Sequence, residues 1–246
     1  MKKSLIIRIA LSSIFILTAS LCLAGPPFGT DDPEPVDFRH WEYYLSSQDQ
    51  FQPGFSTGTL PHFEFNYGLI RNCQIHFVLP LNYNSYPDKV FQYGYGNTEI
   101  GFKFRFYRSK DESLQIGTFP IFEVPTVRNP YFTNNRVQVY LPVWIQKSWN
   151  KFTTYGGGGL WINPGDNNKN WMFAGWELQY DFSKFLTFGG ELFYKGPSTI
   201  NGRQLTGFNI GGFINFSDKI HFIFSAGHSI TGESTTTAYA GLLITI

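Results

Sequence analysis

Apolar and polar residues alternate with a period of two along most of the chain. The clearest run is Glu99-Ile-Gly-Phe-Lys-Phe-Arg-Phe106, in which the residues between the polar positions are aliphatic or aromatic. This period is typical of a β-strand with one apolar and one polar face. Charges are costly in the dry core of a soluble sandwich, whereas the wet lumen of a membrane barrel accepts them. The pattern therefore favours a barrel with its apolar face towards lipid.

About twelve such segments follow one another from residue 40 onwards. They are predicted at 40–48, 61–68, 73–82, 97–107, 114–124, 136–146, 152–162, 171–180, 185–194, 205–216, 220–229 and 236–246. Short connections are predicted at 69–72, 108–113, 147–151, 181–184 and 217–219, and long ones at 49–60, 83–96, 125–135, 163–170, 195–204 and 230–235. Short periplasmic turns that alternate with longer extracellular loops are typical of bacterial barrels. The predicted fold is all-β, a single antiparallel transmembrane β-barrel over residues 40–246.

The first 24 residues are predicted to be a secretory signal peptide. Lys2 and Lys3 precede an apolar stretch, and Ala24 supplies the small residue at the cleavage site. A lipoprotein signal would make Cys22 the first mature residue, but the bulky Leu21 disfavours it. Residues 25–39 contain four prolines, which preclude a helix or a central strand. This acidic leader is predicted to be either a plug or a periplasmic tail.

Composition supports an exported barrel. Aromatic residues make up 19% of the chain and charged residues 15%, against about a quarter charged in ordinary soluble domains. The part after residue 24 has no apolar run of about 18 residues, so no transmembrane helix is predicted. Cys73 would be the one cysteine left after cleavage, which excludes an internal disulfide. The predicted location is the bacterial outer membrane.

Strand parity assigns a set of polar side chains to the lumen. The lumen-lining acids are predicted to be Glu42, Glu64, Glu99, Glu123, Glu177 and Glu191. The lumen-lining bases are Lys103 and Arg105, and the lumen polar residues include His62, His76 and Asn209. A wall rich in carboxylates would favour cations or polar solutes. Alternatively, these glutamates pair with Lys103, Arg105 and neighbouring donors, and only hold a filled barrel together.

The acidic leader suggests a gate. Asp31, Asp32, Glu34 and Asp37 lie just before the first strand, at the predicted periplasmic mouth. Lys103 and Arg105 lie near the same mouth, so we expect the leader to fold into the lumen and pair with them.

Catalytic and metal-binding patterns are weak in this chain. None of the histidines has Ser two residues later, which is the spacing that would place both side chains on one face of a strand. His228 and Ser229 are adjacent, so they could meet only at a bulge. His62 and Glu64 share a face but would need a third metal ligand from another strand. No catalytic residue, metal or cofactor is predicted.

Several motifs resemble a family of exported bacterial barrels. They are Gly25-Pro-Pro-Phe-Gly-Thr-Asp-Asp-Pro-Glu-Pro-Val36, His40-Trp-Glu42, Tyr155-Gly-Gly-Gly-Gly159, Ile162-Asn-Pro164, Phe173-Ala-Gly-Trp176 and Gly227-His-Ser229. Together they resemble outer-membrane transporters named for the meta-pathway of phenol degradation. The resemblance implies a barrel with a transport role, but it implies no particular solute and no functional residues.

These observations predict a channel or transporter for passive uptake of small solutes, with aromatic or hydrophobic compounds among the candidates. The alternative is a closed barrel that acts through its loops, which carry Tyr86, Phe91, Tyr93, Tyr95, Tyr131 and Phe132. A third hypothesis, less favoured by the sequence, is an outer-membrane enzyme. Expected partners are outer-membrane lipid, the barrel-assembly machinery and a small-molecule solute, but no nucleic acid, since the net charge is +1 without a basic cluster. Oligomeric state is not predicted.

Overall fold

The computed structural model describes residues 26–127, 129, 131–133 and 135–246, so the predicted signal peptide lies outside the described residues. Within these ranges, no helix has the length and apolarity needed to cross a bilayer. The strands are β1 (Trp41–Gln52), β2 (Phe55–Ile70), β3 (Cys73–Ser85), β4 (Gln92–Tyr95), β5 (Thr98–Arg108), β6 (Leu114–Thr118), β7 (Ile121–Val124), β8 (Gln138–Trp149), β9 (Phe152–Ile162), β10 (Trp171–Asp181), β11 (Leu186–Lys195), β12 (Leu205–Asn215), β13 (Ile220–Thr231) and β14 (Thr236–Thr245).

These segments build a closed antiparallel barrel of twelve strands. β4 and β5 both pair with β3, with a register shift of one residue between them, so together they form a single bulged strand across the wall. β6 and β7 likewise lie between β5 and β8 and form one strand, interrupted at Phe119 and Pro120. Pro120 has no backbone N–H to give to a ladder, which accounts for the interruption. Pairing of β1 with β14 closes the sheet, and the predicted strand number is confirmed.

Two predicted long loops are wrong in extent, because the strands continue beyond their apolar alternation. β1 and β2 are joined by Pro53 and Gly54 alone, so most of the predicted 49–60 loop is a hairpin. In the predicted 83–96 loop, β3 continues to Ser85 and β4 adds residues 92–95. Polar and small residues such as Ser56, Thr57 and Gly58 extend these ladders without an apolar face. Backbone pairing alone therefore carries the strands further than the hydrophobic pattern does.

The two faces of the wall follow the predicted parity. On β5, Phe102, Phe104 and Phe106 are 45%, 46% and 53% exposed on the outer face, whereas Lys103 is 4% exposed. On β14, Leu242 and Ile244 face outward and Leu243 is fully buried inside. The end of the barrel at which β1 begins and β14 ends is called the terminal end below, and the opposite end the loop end. Trp41 and Ile246 exchange backbone hydrogen bonds at the terminal end.

Closure of the barrel by β1 and β14 is testable by disulfide crosslinking. Ser47 and Ala240 are directly paired, which places their Cβ atoms about 4.5–5.5 Å apart. With Cys73→Ser to remove the native thiol, Ser47→Cys with Ala240→Cys is expected to oxidise almost completely, giving a band on a denaturing gel that shifts on reduction. The control is Ser47→Cys with Leu242→Cys, a diagonal pair roughly 7–8 Å apart. Equal crosslinking of both pairs would contradict the register.

Candidate functional site

Residues 26–37 of the leader lie inside the barrel. Phe28, Thr30, Asp32, Pro33 and Val36 are buried there, with Thr30 and Asp32 completely inaccessible. The segment runs across the lumen from β13, where Ser225 Oγ donates to the Pro27 carbonyl at 2.6 Å, towards the terminal end. It then joins β1 after a parallel bridge between Phe38 and Gly68. The lumen is therefore occupied by the protein's own chain.

Two cations on β5 hold the leader by charge. Lys103 Nζ lies 2.9 Å from Asp31 Oδ1 and 3.2 Å from Asp32 Oδ2. Arg105 Nη1 lies 3.6 Å from Glu34 Oε1, whose second oxygen accepts hydrogen bonds from the side-chain amides of Gln115 and Gln146. In the described part of the chain Lys103 and Arg105 form their ion pairs with leader acids, and none with the six predicted wall glutamates.

The fourth leader acid has a different place. The Asp37 side chain is exposed at the end of the leader, and its backbone carbonyl accepts a hydrogen bond from His40 N. No ion pair of Asp37 occurs among the residues that the structure describes, because the chain turns here towards β1. Of the four acids expected in a gate, the structure thus brings Asp31, Asp32 and Glu34 to the cations.

Backbone amides of the leader are also satisfied by the wall. The Glu191 carboxylate accepts hydrogen bonds from Gly29 N at 2.9 Å and from Thr30 N at 2.8 Å. Asn209 Nδ2 donates to the same carboxylate at 2.6 Å, and Val36 N donates to Gln74 Oε1. An irregular segment buried without such partners would leave costly unpaired amides. The wall is therefore chemically complementary to the leader.

Missing side chains on the wall make room for the leader. A Cβ on Gly175 of β10 would lie 1.9 Å from Thr30 Oγ1, and one on Gly117 of β6 would lie 3.0 Å from Pro33 Cβ. Neither side chain could occupy its place if the wall residue were larger. At Gly175 the clash involves the leader and no wall atom closer than 3.5 Å. Thr30 in the Gly175 notch is thus a contact that one methyl group would break.

A second polar network lies beside the leader on β2, β3 and β5. His76 Nε2 lies 2.8 Å from Glu99 Oε1, and His76 Nδ1 lies 2.7 Å from Asn66 Oδ1. Asn66 Nδ2 donates to Glu64 Oε1 at 2.9 Å. Glu64, Asn66 and His76 are all buried, so this part of the wall is a connected chain of polar groups. It has a structural use independent of any solute.

The remaining predicted lumen residues also lie on the inner face. Glu42 accepts from Tyr44 Oη at 3.0 Å near the terminal end, and Glu123 accepts from Gln138 Nε2 at 3.2 Å near the loop end. His62 Nδ1 lies 3.1 Å from Thr59 Oγ1. Glu177 is completely buried.

The motif His228-Ser229 gives no dyad. His228 Nδ1 contacts Thr236 Oγ1, whereas Ser229 Oγ accepts a hydrogen bond from Thr235 N. The two side chains are therefore engaged with separate partners at the loop end.

An aromatic row on the inner face was missed from the sequence. The rings of Tyr140 and Trp161 stack at 4.9 Å between centroids, and those of Trp161 and Trp171 at 5.4 Å. These residues are direct cross-strand partners on β8, β9 and β10, near the loop end. Phe173 and Phe193 continue the aromatic surface at 6.2 Å, and Lys195 Nζ lies 5.1 Å above the Trp171 ring.

A signal for part of this row was present in the sequence. Phe173 shares its parity with Glu177, and Phe193 shares its parity with Glu191. Four consecutive glycines hid the parity of Trp161, since they carry no side chain that shows which face is inside.

The inner face also has an apolar region near the terminal end. Tyr44, Phe213, Ile223 and Leu243 form one buried cluster, with Tyr239 packed against it. The sequence parity of the charged residues suggested a lumen lined mainly by ionic groups. This apolar region and the aromatic row show that much of the inner surface is not ionic. The lumen wall is a mixture of paired polar groups and apolar surface.

Comparisons with known proteins agree on the fold. No family model matches the chain, and no curated protein matches it, so the resemblance to phenol-pathway transporters stays a prediction. The barrel is similar to that of an outer membrane channel from Pseudomonas putida F1, with a TM-score of 0.69 at 13% identity over 87% of this chain and 98% of that one. The KdgM porin has a TM-score of 0.58 at 10% identity, and the NanC porin 0.57 at 7% identity, each over 82% of this chain and 98% of the other.

At these identities the likeness shows the fold alone. The chain has the closed antiparallel β-barrel architecture of outer-membrane porins.

Loss of Lys103 is expected to release the leader. In Lys103→Met the buried Asp32 and the partly buried Asp31 would lose their counter-charge, and breaking a buried pair costs roughly 3–5 kcal/mol. Cleavage before the leader aspartates by an Asp-specific endoproteinase should therefore accelerate at least about tenfold. The matched control is Lys195→Met, a lumen lysine over Trp171 that makes no leader contact. Similar cleavage of both variants would show that Lys103 does not anchor the leader.

Proposed function

We propose that the protein is an outer-membrane channel for passive uptake of small solutes, obstructed at rest by its own leader. The observation that supports this proposal is the closed barrel with polar lumen walls. Its lumen is filled by the leader, which is anchored through three side-chain ion pairs. A purely structural barrel could fill its interior with wall side chains. A separate segment held by ion pairs can leave the lumen as a unit.

The outward aromatic and aliphatic surface supports a membrane location. Large apolar side chains on the outer face are exposed on every side of the wall, including Leu45, Phe77, Phe104, Leu141, Leu178, Leu192 and Phe208. A surface of this extent is unfavourable in water and favourable in lipid. Signal-directed export, predicted for residues 1–24, would bring such a barrel to the outer membrane.

The aromatic row supports planar, partly apolar solutes. Tyr140, Trp161 and Trp171 present stacked rings at the loop end, the side from which an external solute would enter. Offset or edge contacts with such rings stabilise an aromatic solute by about 0.5–1.5 kcal/mol per pair. The Lys195 ammonium above Trp171 would add attraction for a carboxylate group. Small aromatic compounds are therefore the proposed solutes.

A loop-mediated role is the second candidate. A cleft of about 720 Å³ lies between β4 with its preceding loop and the 125–137 connection, lined by residues that include Phe91, Tyr93, Tyr131 and Phe132. Its aromatic walls and volume fit a ligand site outside the lumen. Liposome swelling of the leader-deleted protein separates the two candidates, because a channel freed of its obstruction admits solute and a closed barrel with surface clefts does not.

Obstruction of the lumen by the leader is testable with Gly175→Ala, which adds one methyl group to the wall. Gly175→Ala would place a Cβ 1.9 Å from Thr30 Oγ1, so the leader should leave its notch and single-channel conductance in planar bilayers should rise. Deletion of residues 25–37 should give a similar increase. Thr30→Gly in the Gly175→Ala background removes the clashing atoms and is expected to restore the low conductance. Conductance that is unchanged by both Gly175→Ala and the deletion would refute obstruction by the leader.

Selectivity of the aromatic row is tested in the leader-deleted protein. Trp161→Ala with Trp171→Ala removes the central stack, so the rate of liposome swelling with benzoate should fall several-fold. Swelling with a sugar of similar size is expected to stay the same or rise, because removal of two indoles widens the path. A matched pair on the outer face, Trp176→Ala with Leu178→Ala, should change neither rate. Equal losses for benzoate and sugar would argue against recognition by the aromatic row.

A further inference from the structure

Glu177 is a buried carboxylate without a hydrogen-bond partner. Its side chain is fully inaccessible, and both Oε1 and Oε2 lack a donor among the residues that the structure describes. It lies on the inner face of β10, directly opposite Tyr155 on β9 and Glu191 on β11. An isolated buried carboxylate is strongly unfavourable unless a counter-charge or donors meet it. Either a proton on the carboxyl or an occupant outside the described side chains must therefore satisfy Glu177.

Other buried polar groups on this part of the inner face also lack hydrogen-bond partners. Gln179 Oε1, two residues along the same face, is 5% exposed and has no donor. Tyr155 Oη and Trp144 Nε1 have no acceptor, although both residues are at most 1% exposed. Thr30 Oγ1 of the leader, in the neighbouring Gly175 notch, is also unpartnered. Native interiors rarely leave this many polar atoms unpaired on neighbouring strands, so these groups point to a polar occupant.

The cations of the lumen are engaged elsewhere. Lys103 pairs with Asp31 and Asp32, and Arg105 lies against Glu34. Lys195 lies over Trp171, nearer the loop end. Glu191, across the ladder from Glu177, already accepts three N–H donors through its two oxygens. An ionised Glu177 carboxylate would therefore have no counter-charge within the described residues.

We propose that Glu177 and Gln179 bind a small monovalent cation such as K⁺ behind the leader. Both Glu177 oxygens and the Gln179 amide oxygen are hard oxygen ligands, which suit an alkali cation. A divalent ion is disfavoured because no group of three or more His, Cys, Asp or Glu side chains is placed to hold a metal in the described ranges. Water molecules completing the cation's shell accept hydrogen bonds from Tyr155 Oη and Trp144 Nε1, which accounts for the unpaired donors.

The cation site has a consequence for the leader. Thr30 of the leader lies against Gly175, which precedes Glu177 by two residues on the same face of β10. A bound cation cancels the charge that faces Asp31, Asp32 and Glu191 in this part of the lumen. It therefore stabilises the state with the leader inside. The site itself does not depend on the transport proposal, because it is built from wall residues whether or not a solute crosses.

Crystals of the full chain grown in potassium chloride and transferred to rubidium chloride test the site directly. Rubidium scatters anomalously and replaces K⁺ with the same charge. An anomalous peak within coordination distance of the Glu177 oxygens is the expected result. Absence of a peak there, with Glu177 in the buried position described, would overturn the proposal and leave a protonated carboxyl as the explanation.

Thermal unfolding of the purified protein gives an independent test that needs no crystal. The Tm of the wild-type protein should rise with KCl and saturate, at an ionic strength held constant with choline chloride. Glu177→Gln keeps the shape and removes the charge, so its Tm should be insensitive to the exchange of choline for K⁺. The matched control, Glu123→Gln, lies at the loop end beside Gln138 and should keep the wild-type response. A wild-type Tm that is equal in both salts, or a K⁺ response that Glu177→Gln retains, would refute the site.

Discussion

Closure of the sheet is the constraint on which the rest of the molecule depends. β1 and β14 are the first and last strands, and each would present an unpaired edge if they did not meet. In lipid an open edge is prohibitive because no water is present to satisfy its N–H and C=O groups. Once the sheet is closed, parity divides every strand into an outer and an inner face. The enclosed space is then wide enough to need contents, which the leader and the inward aromatic side chains supply.

The contents of the lumen are matched to the wall in three independent ways. Charge pairs Lys103 with Asp31 and Asp32, backbone amides of Gly29 and Thr30 meet Glu191, and Gly175 leaves space for Thr30. An adventitious contact would rarely satisfy charge, hydrogen bonding and shape together. The leader is therefore part of the folded structure, although it belongs to no strand. Its attachment combines these polar contacts with the burial of Phe28, Pro33 and Val36.

Sequence periodicity predicted most of the wall and only part of the site. The strands at 152–162 and 73–82 were close to the observed bounds because turns with a positive φ at Asn150 and Asn72 fix where they begin. The hairpin beyond Asp49 was missed because Ser56, Thr57 and Gly58 pair through backbone alone. Contacts of Lys103 with Asp31 and Asp32 could be expected from charge and position. The Glu191 contact to Gly29 and Thr30 could not, since it depends on how far a proline-rich segment reaches into the lumen.

Unequal strand length makes the rim of the barrel uneven. β2 has sixteen residues, which at about 3.4 Å per residue and a tilt near 40° gives a height of roughly 40 Å, against an apolar band of about 25 Å. β1 and β2 are joined by the tight turn at Pro53 and Gly54. The part of this hairpin that exceeds the height of the apolar band therefore extends beyond the barrel on one side of the loop end, as a rigid two-stranded ribbon. Bulky polymers on the cell surface would be held back on that flank, and small molecules would approach from the lower opposite side.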